Sequence, residues 1–224
     1  LTSHGIGYKT LDLCFSDSPE NELHATLKSY NPDVAAISIR QTDTVLYHQN
    51  IFFLLEIQQY TGICKSYGCI TVVGGSGFSI MPEEILKYTD ADYGIYGPGE
   101  HSFIRLLRSI ENGNVHPSIL DGYADLPATL KDIKREVVVD YAPYLKNEGI
   151  IGFRTQIGCD SKCIFCTEAD KKMIFHDRES AGHEIALLSE VGYDNFHLCD
   201  SEFNMNLEHC IDVCKAIKAI TGPV

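Results

Sequence analysis

Apolar residues in this chain fall into two kinds of stretch that alternate along its length. Short unbroken blocks, KTLDLCF (Lys9–Phe15), VAAISI (Val34–Ile39), CITVVGG (Cys69–Gly75) and ADYGIYG (Ala91–Gly97), read as strands buried on both faces. Between them, apolar positions recur at helical spacing. SPENELHATLKSY puts Leu23 and Leu27 on one side, with Ser18 or Asp17 as cap and Pro19 in the first turn. A helix is predicted from Asn50 to Tyr60, ending near Gly62. MPEEILKYT carries Pro82 and two acids in its first turn, where the helix dipole favours them. GEHSFIRLLRSIENG aligns Phe103, Leu106, Leu107 and Ile110 and stops at Gly113. Alternation of this kind predicts a parallel sheet covered by helices, with ligands at the carboxyl ends of the strands.

The alternation lapses from Asn114 to Ile150, where Pro117, Pro127 and Pro143 mark a connector, with a small hairpin expected inside it. It resumes with GIIGFRTQIGC as one strand, RESAGHEIALLSEVG as a helix, NFHLCD as a strand and LEHCIDVCKAIKAI as a helix. TGPV falls where a further strand is expected, so this second α/β region reads as incomplete. The expected organisation is a Rossmann-like domain over residues 1–113, a connector over 114–148 and an unfinished α/β domain over 149–224.

Composition narrows the partners. With 18 basic and 31 acidic residues the formal charge is -13, and no Lys/Arg block stands out, which disfavours nucleic acid as the main partner. No run of about eighteen apolar residues is present for a membrane span, and the start lacks the features of a signal peptide. The nine cysteines are odd in number and unevenly spaced, which fits reduced thiols in the cytoplasm better than a disulfide scaffold. Six of them, Cys210 and Cys214 included, read as small core residues.

The other three are concentrated in GCDSKCIFC, as Cys159-x3-Cys163-x2-Cys166. Zinc would need a fourth ligand, for which His176 or His183 are the candidates. A disulfide with a spare thiol is the other structural reading. An iron-sulfur cube normally takes four cysteines, so three would leave one iron open to a ligand. Strand, Gly158, CxxxCxxC with Phe165 before the last cysteine, and then a helix together resemble the radical SAM enzyme family. That resemblance implies that Cys159, Cys163 and Cys166 hold a [4Fe-4S] cluster whose open iron chelates S-adenosylmethionine (SAM), with Phe165 near the adenine. It also implies that the end of the following strand, CDSEFN, serves the SAM amino group. Asp200, Glu202 and Asn204 are the candidates there, with no choice made between Asp200 and Glu202. The alternative reading of that segment is a helix cap by Asn204 or Asn206.

In the first domain, GGSGF and YGPGE match neither a dinucleotide fingerprint nor a P-loop. PDVAAISIR, VVGGSGFSIMPEEIL and ADYGIYGPGE resemble the third to fifth strands of the cobalamin-binding domain that precedes the radical SAM domain in B12-dependent radical SAM enzymes, with the first strand missing. The resemblance implies a nucleotide-tail site at Gly74, Gly75, Ser76, Gly77 and Phe78, and a corrin-facing rim at Gln41, Thr42, Asp43, Gly97, Gly99 and Glu100. No D-x-H-x-x-G motif is present to supply a cobalt-ligating histidine, which implies cobalamin held without one. The implied activity is reductive SAM cleavage, with methyl transfer to an unactivated carbon of a small molecule. The expected partner is an electron donor such as flavodoxin or ferredoxin. Radical cyclisation with the same cofactors, or a non-catalytic iron-sulfur or zinc protein, are the alternatives.

Overall fold

The computed structural model describes residues 1–114, 117–127, 130 and 139–221. They fall into two compact units, Leu1–Asp125 and Leu126–Val224.

The first unit is built on four parallel strands in sequential order: β1 (Val34–Ser38), β2 (Ile70–Gly74), β3 (Tyr93–Tyr96) and β4 (Ile119–Asp121). Helices α1 (Pro19–Tyr30), α2 (Leu54–Ser66), α3 (Pro82–Thr89) and α4 (Glu100–Glu111) cover it. Val73 of β2 packs with Leu54 of α2 and Ile85 of α3, while its neighbour Val72 packs with Leu106 of α4. Successive side chains of a strand point to opposite faces, so both faces of the sheet are covered. That explains why its strands are mostly apolar, with Ser38, Thr71 and Asp121 as exceptions.

Local chemistry corrects several expectations. No strand forms at Lys9–Phe15. Leu11 and Leu13 pack against the Leu23–Leu27 cluster, and Asp12 Oδ1 accepts the Cys14 N–H at 3.1 Å, turning the chain away. Helix α2 starts at Leu54 instead of Asn50 because the preceding loop pairs with itself, Phe53 N–H to Thr42 O and Thr44 N–H to Ile51 O. It also runs through Gly62 to Ser66, carried by the buried Tyr60, Thr61 and Cys64. Residues 119–121, read as connector, pair with β3 as a fourth strand. The hairpin expected within 114–148 falls partly on residues outside those described, as does the strand expected after Thr221.

The second unit contains α5 (Ala142–Lys146), β5 (Ile151–Phe153), β6 (Gln156–Cys159), β7 (Lys171–Phe175), α6 (Arg178–Glu190), β8 (Phe196–Leu198) and α7 (Leu207–Thr221). The single strand expected over GIIGFRTQIGC is two. β5 pairs in parallel with β8, and β6 pairs antiparallel with β7. The break falls at Arg154–Thr155, where the Thr155 backbone and hydroxyl bind Asp200. Asp177 caps α6, its carboxylate accepting the N–H groups of Glu179 and Ser180.

Candidate functional site

The three cysteines lie on one closed loop. Cys159 ends β6 and is buried, whereas Cys163 and Cys166 stand exposed on a turn closed by Cys166 N–H to Cys163 O at 3.1 Å. The base of the loop is pinched by the Cys159–Ala169 bridge and by Asp170 N–H to Ser161 O at 2.8 Å. Gly158 makes this possible. Its φ is +83°, and a Cβ there would come 2.3 Å from the Lys172 carbonyl oxygen of the partner strand. Ile164 and Phe165 project into solvent from the turn, Phe165 beside Cys166.

Among the described residues, no group of three His, Cys, Asp or Glu side chains is already assembled for a metal. The donor set still fits an iron-sulfur cluster: three soft thiol ligands on one short tethered loop, two of them accessible. Of the other six cysteines, Cys64 and Cys69 are buried as expected, whereas Cys14, Cys199 and Cys214 are exposed and Cys210 is half-buried, so the core reading fails for those four. Burial pushes the Cys64 thiol up to about 11, and it packs in the core with Cys69.

The segment after β8 lies against this loop. Ser201 donates to the carboxylate of Glu168, a residue of the cysteine loop. Asp200 and Glu202, indistinguishable by sequence, are used differently. Asp200 Oδ1 accepts the N–H groups of Thr155 at 2.7 Å and Gln156 at 3.1 Å, and Oδ2 accepts the Thr155 hydroxyl at 2.6 Å. Glu202 is held by its backbone, its carbonyl accepting Gln156 Nε2–H at 3.0 Å, and it is exposed. Asn204 sits exposed in a short 3-10 turn, Phe203–Met205, and the helix cap falls to Asn206, whose Oδ1 accepts the His209 N–H at 3.0 Å. A cavity of about 350 Å³ adjoins this region, lined by Asp160, Lys172, Met173, Phe175, Met205 and Asn206.

In the first unit, the loops at the carboxyl ends of β1, β2 and β3 are knitted together. Gly77 N–H reaches Ile39 O at 2.8 Å, and Ser76 Oγ donates to Arg40 O at 2.8 Å. Gly75 has φ +96°, and a Cβ there would lie 2.6 Å from Ile39 O. Ser79 Oγ donates to Gly75 O at 2.9 Å and accepts Gly97 N–H at 2.9 Å. Ser79 and Arg40 thus join the three loops. Neither was singled out from sequence: Ser79 stands just outside a glycine run and Arg40 acts through its backbone carbonyl, so neither carries a distinctive spacing.

Of the predicted tail site, Ser76 is exposed, Gly74 and Gly75 are half-buried and Gly77 is buried; of the predicted rim, Gln41 and Glu100 are exposed and Gly97 and Gly99 are half-buried. Thr42 and Asp43 belong to the self-paired loop, with Asp43 Oδ1 accepting Val45 N–H at 2.7 Å. The Phe78 side chain is wholly buried beneath Gly94, in the core and away from the rim.

Comparison with known proteins follows this division. Residues 1–107 match the B12 binding domain family. A tryptophan 2-C-methyltransferase from Streptomyces laurentii is 24% identical, over 97% of this chain and 47% of that protein. The radical S-adenosylmethionine methyltransferase TsrM from Kitasatospora setae, solved with cobalamin and a [4Fe-4S] cluster bound, superposes with a TM-score of 0.84 at 24% identity, over 96% of this chain and 46% of that one. The cobalamin-dependent S-adenosylmethionine radical enzyme OxsB, with aqua-cobalamin bound, gives a TM-score of 0.62 at 18% identity, over 88% of this chain and 30% of that one. The chain spans about half the length of the curated relatives it matches.

The first unit is a Rossmann-like α/β domain of the B12-binding class. Over nearly its whole length the chain has the fold of the solved radical SAM enzymes named above, its second unit built on the strand pairs β5–β8 and β6–β7.

Proposed function

We propose that this chain is the cofactor-binding portion of a cobalamin-dependent radical SAM methyltransferase acting on a small molecule. The observation that carries the reading is the closed three-cysteine loop lying against the acidic turn after β8 through Glu168 and Ser201. When bound, the cofactors supply the electron that cleaves the SAM carbon–sulfur bond and carry the methyl group.

The residues of the chain hold and orient. Cys159, Cys163 and Cys166 are the cluster ligands. Phe165 supplies an aromatic face beside the last of them. Glu202, exposed and tied only through its backbone, is the acceptor for the SAM ammonium, and Asn204 is the neighbouring polar contact. Asp200 has its acceptors committed to Thr155 and Gln156 and serves as their internal clamp. In the first unit, Gly74, Gly75, Ser76, Gly77 and the Phe78 backbone form the tail site for cobalamin. Gln41, Thr42, Asp43, Gly97, Gly99 and Glu100 form its rim. Methyl transfer is favoured over cyclisation because the curated relative named above and TsrM are both methyltransferases. The electron comes from a flavodoxin- or ferredoxin-type donor in the cytoplasm.

Anaerobic reconstitution of the full chain tests this. About four irons and four sulfides per chain are expected, lost in C163A while cobalamin binding persists. Tight zinc uptake with no sulfide overturns the reading.

A further inference from the structure

The end of β8 is tied to α7 by a chain of side chains from Asp200 through Thr155 to His209, and His209 has no part in the cofactor reading. Thr155 Oγ1 donates to Asp200 Oδ2 at 2.6 Å and lies 2.9 Å from His209 Nε2. Donor counting sets the direction of the second contact. An ionised carboxylate only accepts, and a threonine has one hydroxyl proton. That proton is committed to Asp200, so the Thr155 oxygen can only accept, and His209 Nε2 must carry the hydrogen. Thr155 and Gln156 are 0% and 3% exposed, which keeps water from competing. The imidazole is fixed from its sides by Phe175, at a centroid distance of 4.5 Å, and by Phe203 at 6.4 Å. Burial outweighs the pull of Asp200 and Asp212 and lowers the His209 pKa, which favours the neutral ring.

We propose that His209 is a positioning residue for the SAM site: as the neutral Nε2–H tautomer it holds Thr155, which locks Asp200 as a clamp and fixes the Ser201–Glu202 turn with the Glu202 carboxylate outward. This rests on the reading of Glu202 as the acceptor for the SAM ammonium. The clamp makes Glu202 available by construction. Asp200 takes both Thr155 donors and the Gln156 N–H, and the Gln156 amide holds the Glu202 carbonyl. The turn is thereby held from two sides without use of the Glu202 carboxylate. His209 exchanges no proton in this role; its contribution is directional.

Side-chain 15N NMR of the full chain without cofactors tests the clamp, and SAM titration of the reconstituted protein tests its consequence. One histidine in the Nε2–H form, with a slowly exchanging proton that is lost in T155V, is expected. H209Q keeps an N–H donor and holds SAM affinity within about threefold of wild type, whereas H209F weakens it on the order of tenfold. E202Q weakens SAM binding while leaving the His209 signal intact. An Nδ1–H tautomer or an imidazolium at neutral pH overturns the proposal whatever the affinities show. So does H209F binding SAM as tightly as wild type. Unchanged SAM affinity in E202Q, with the His209 signal present, sinks the assignment of Glu202 and with it the positioning role, leaving a purely structural clamp.

Discussion

The two units use the same device at one carboxylate each. Asp92 accepts the Thr71 N–H at 2.8 Å and the Thr71 hydroxyl at 2.7 Å, as Asp200 does with Thr155. Burial alone would raise the Asp92 pKa, but the Thr71 donors and Lys65 together outweigh it and the net shift is downward from 3.8. A carboxylate with a lowered folded-state pKa contributes stability that is complete above its unfolded value and lost as pH falls through the folded one. The Asp92 contribution is therefore full above about pH 4 and disappears below it. Because Asp92 is partly exposed, screening limits the effect to about 1 kcal/mol. D92N is expected to lower Tm by about 2–4 °C at neutral pH, with the gap from wild type closing in acid melts. Asp200 carries more, since its loss strands the buried Thr155 hydroxyl and two N–H groups. D200A is expected to cost on the order of 2–3 kcal/mol in urea unfolding, while E202Q stays within about 0.5 kcal/mol. Equal effects of the two variants would contradict the division of roles between them.

At the scale of elements, the β6–β7 pair depends on Gly158, where the chain must adopt φ +83° against the Lys172 carbonyl. G158A is expected to destabilise the second unit by about 1–3 kcal/mol and to lower iron uptake, read by denaturation and iron assay. Much of the architecture was legible in the sequence because β1, β2 and β3 are predominantly apolar and separated by helices with one apolar side each. The cysteine loop was legible from spacing alone. Illegible elements failed for identifiable reasons. β7 opens on Lys171 and Lys172 and is too short to show a period, and β4 is three residues set between prolines. The apolar run at Lys9–Phe15 looks like a strand but spends Leu11 and Leu13 on side-chain packing without backbone pairing. The separation of Asp200 from Glu202 was not legible, since two acids two apart on one loop differ only in which donors surround them.

For the whole molecule, the candidate sites for the two metal-containing cofactors lie in different compact units, cobalamin in Leu1–Asp125 and the cluster in Leu126–Val224. A ligand stabilises only what it binds, by an amount set by its concentration relative to its dissociation constant. Cobalamin at a hundred times its Kd is expected to add about 2.7 kcal/mol to the unit holding it. That appears as an upward shift of the unfolding transition followed by hydrogen exchange at β1–β3 amides, with smaller changes at β6–β7. Gly77 provides the control. A Cβ there would lie 2.9 Å from Gln41 N, between two of the loops assigned to cobalamin. G77A should therefore blunt the cobalamin-dependent protection of β1–β3 while leaving iron incorporation near wild type. Loss of iron together with cobalamin in G77A would mean that the two sites are built cooperatively, and assignment of one cofactor to each unit would fail.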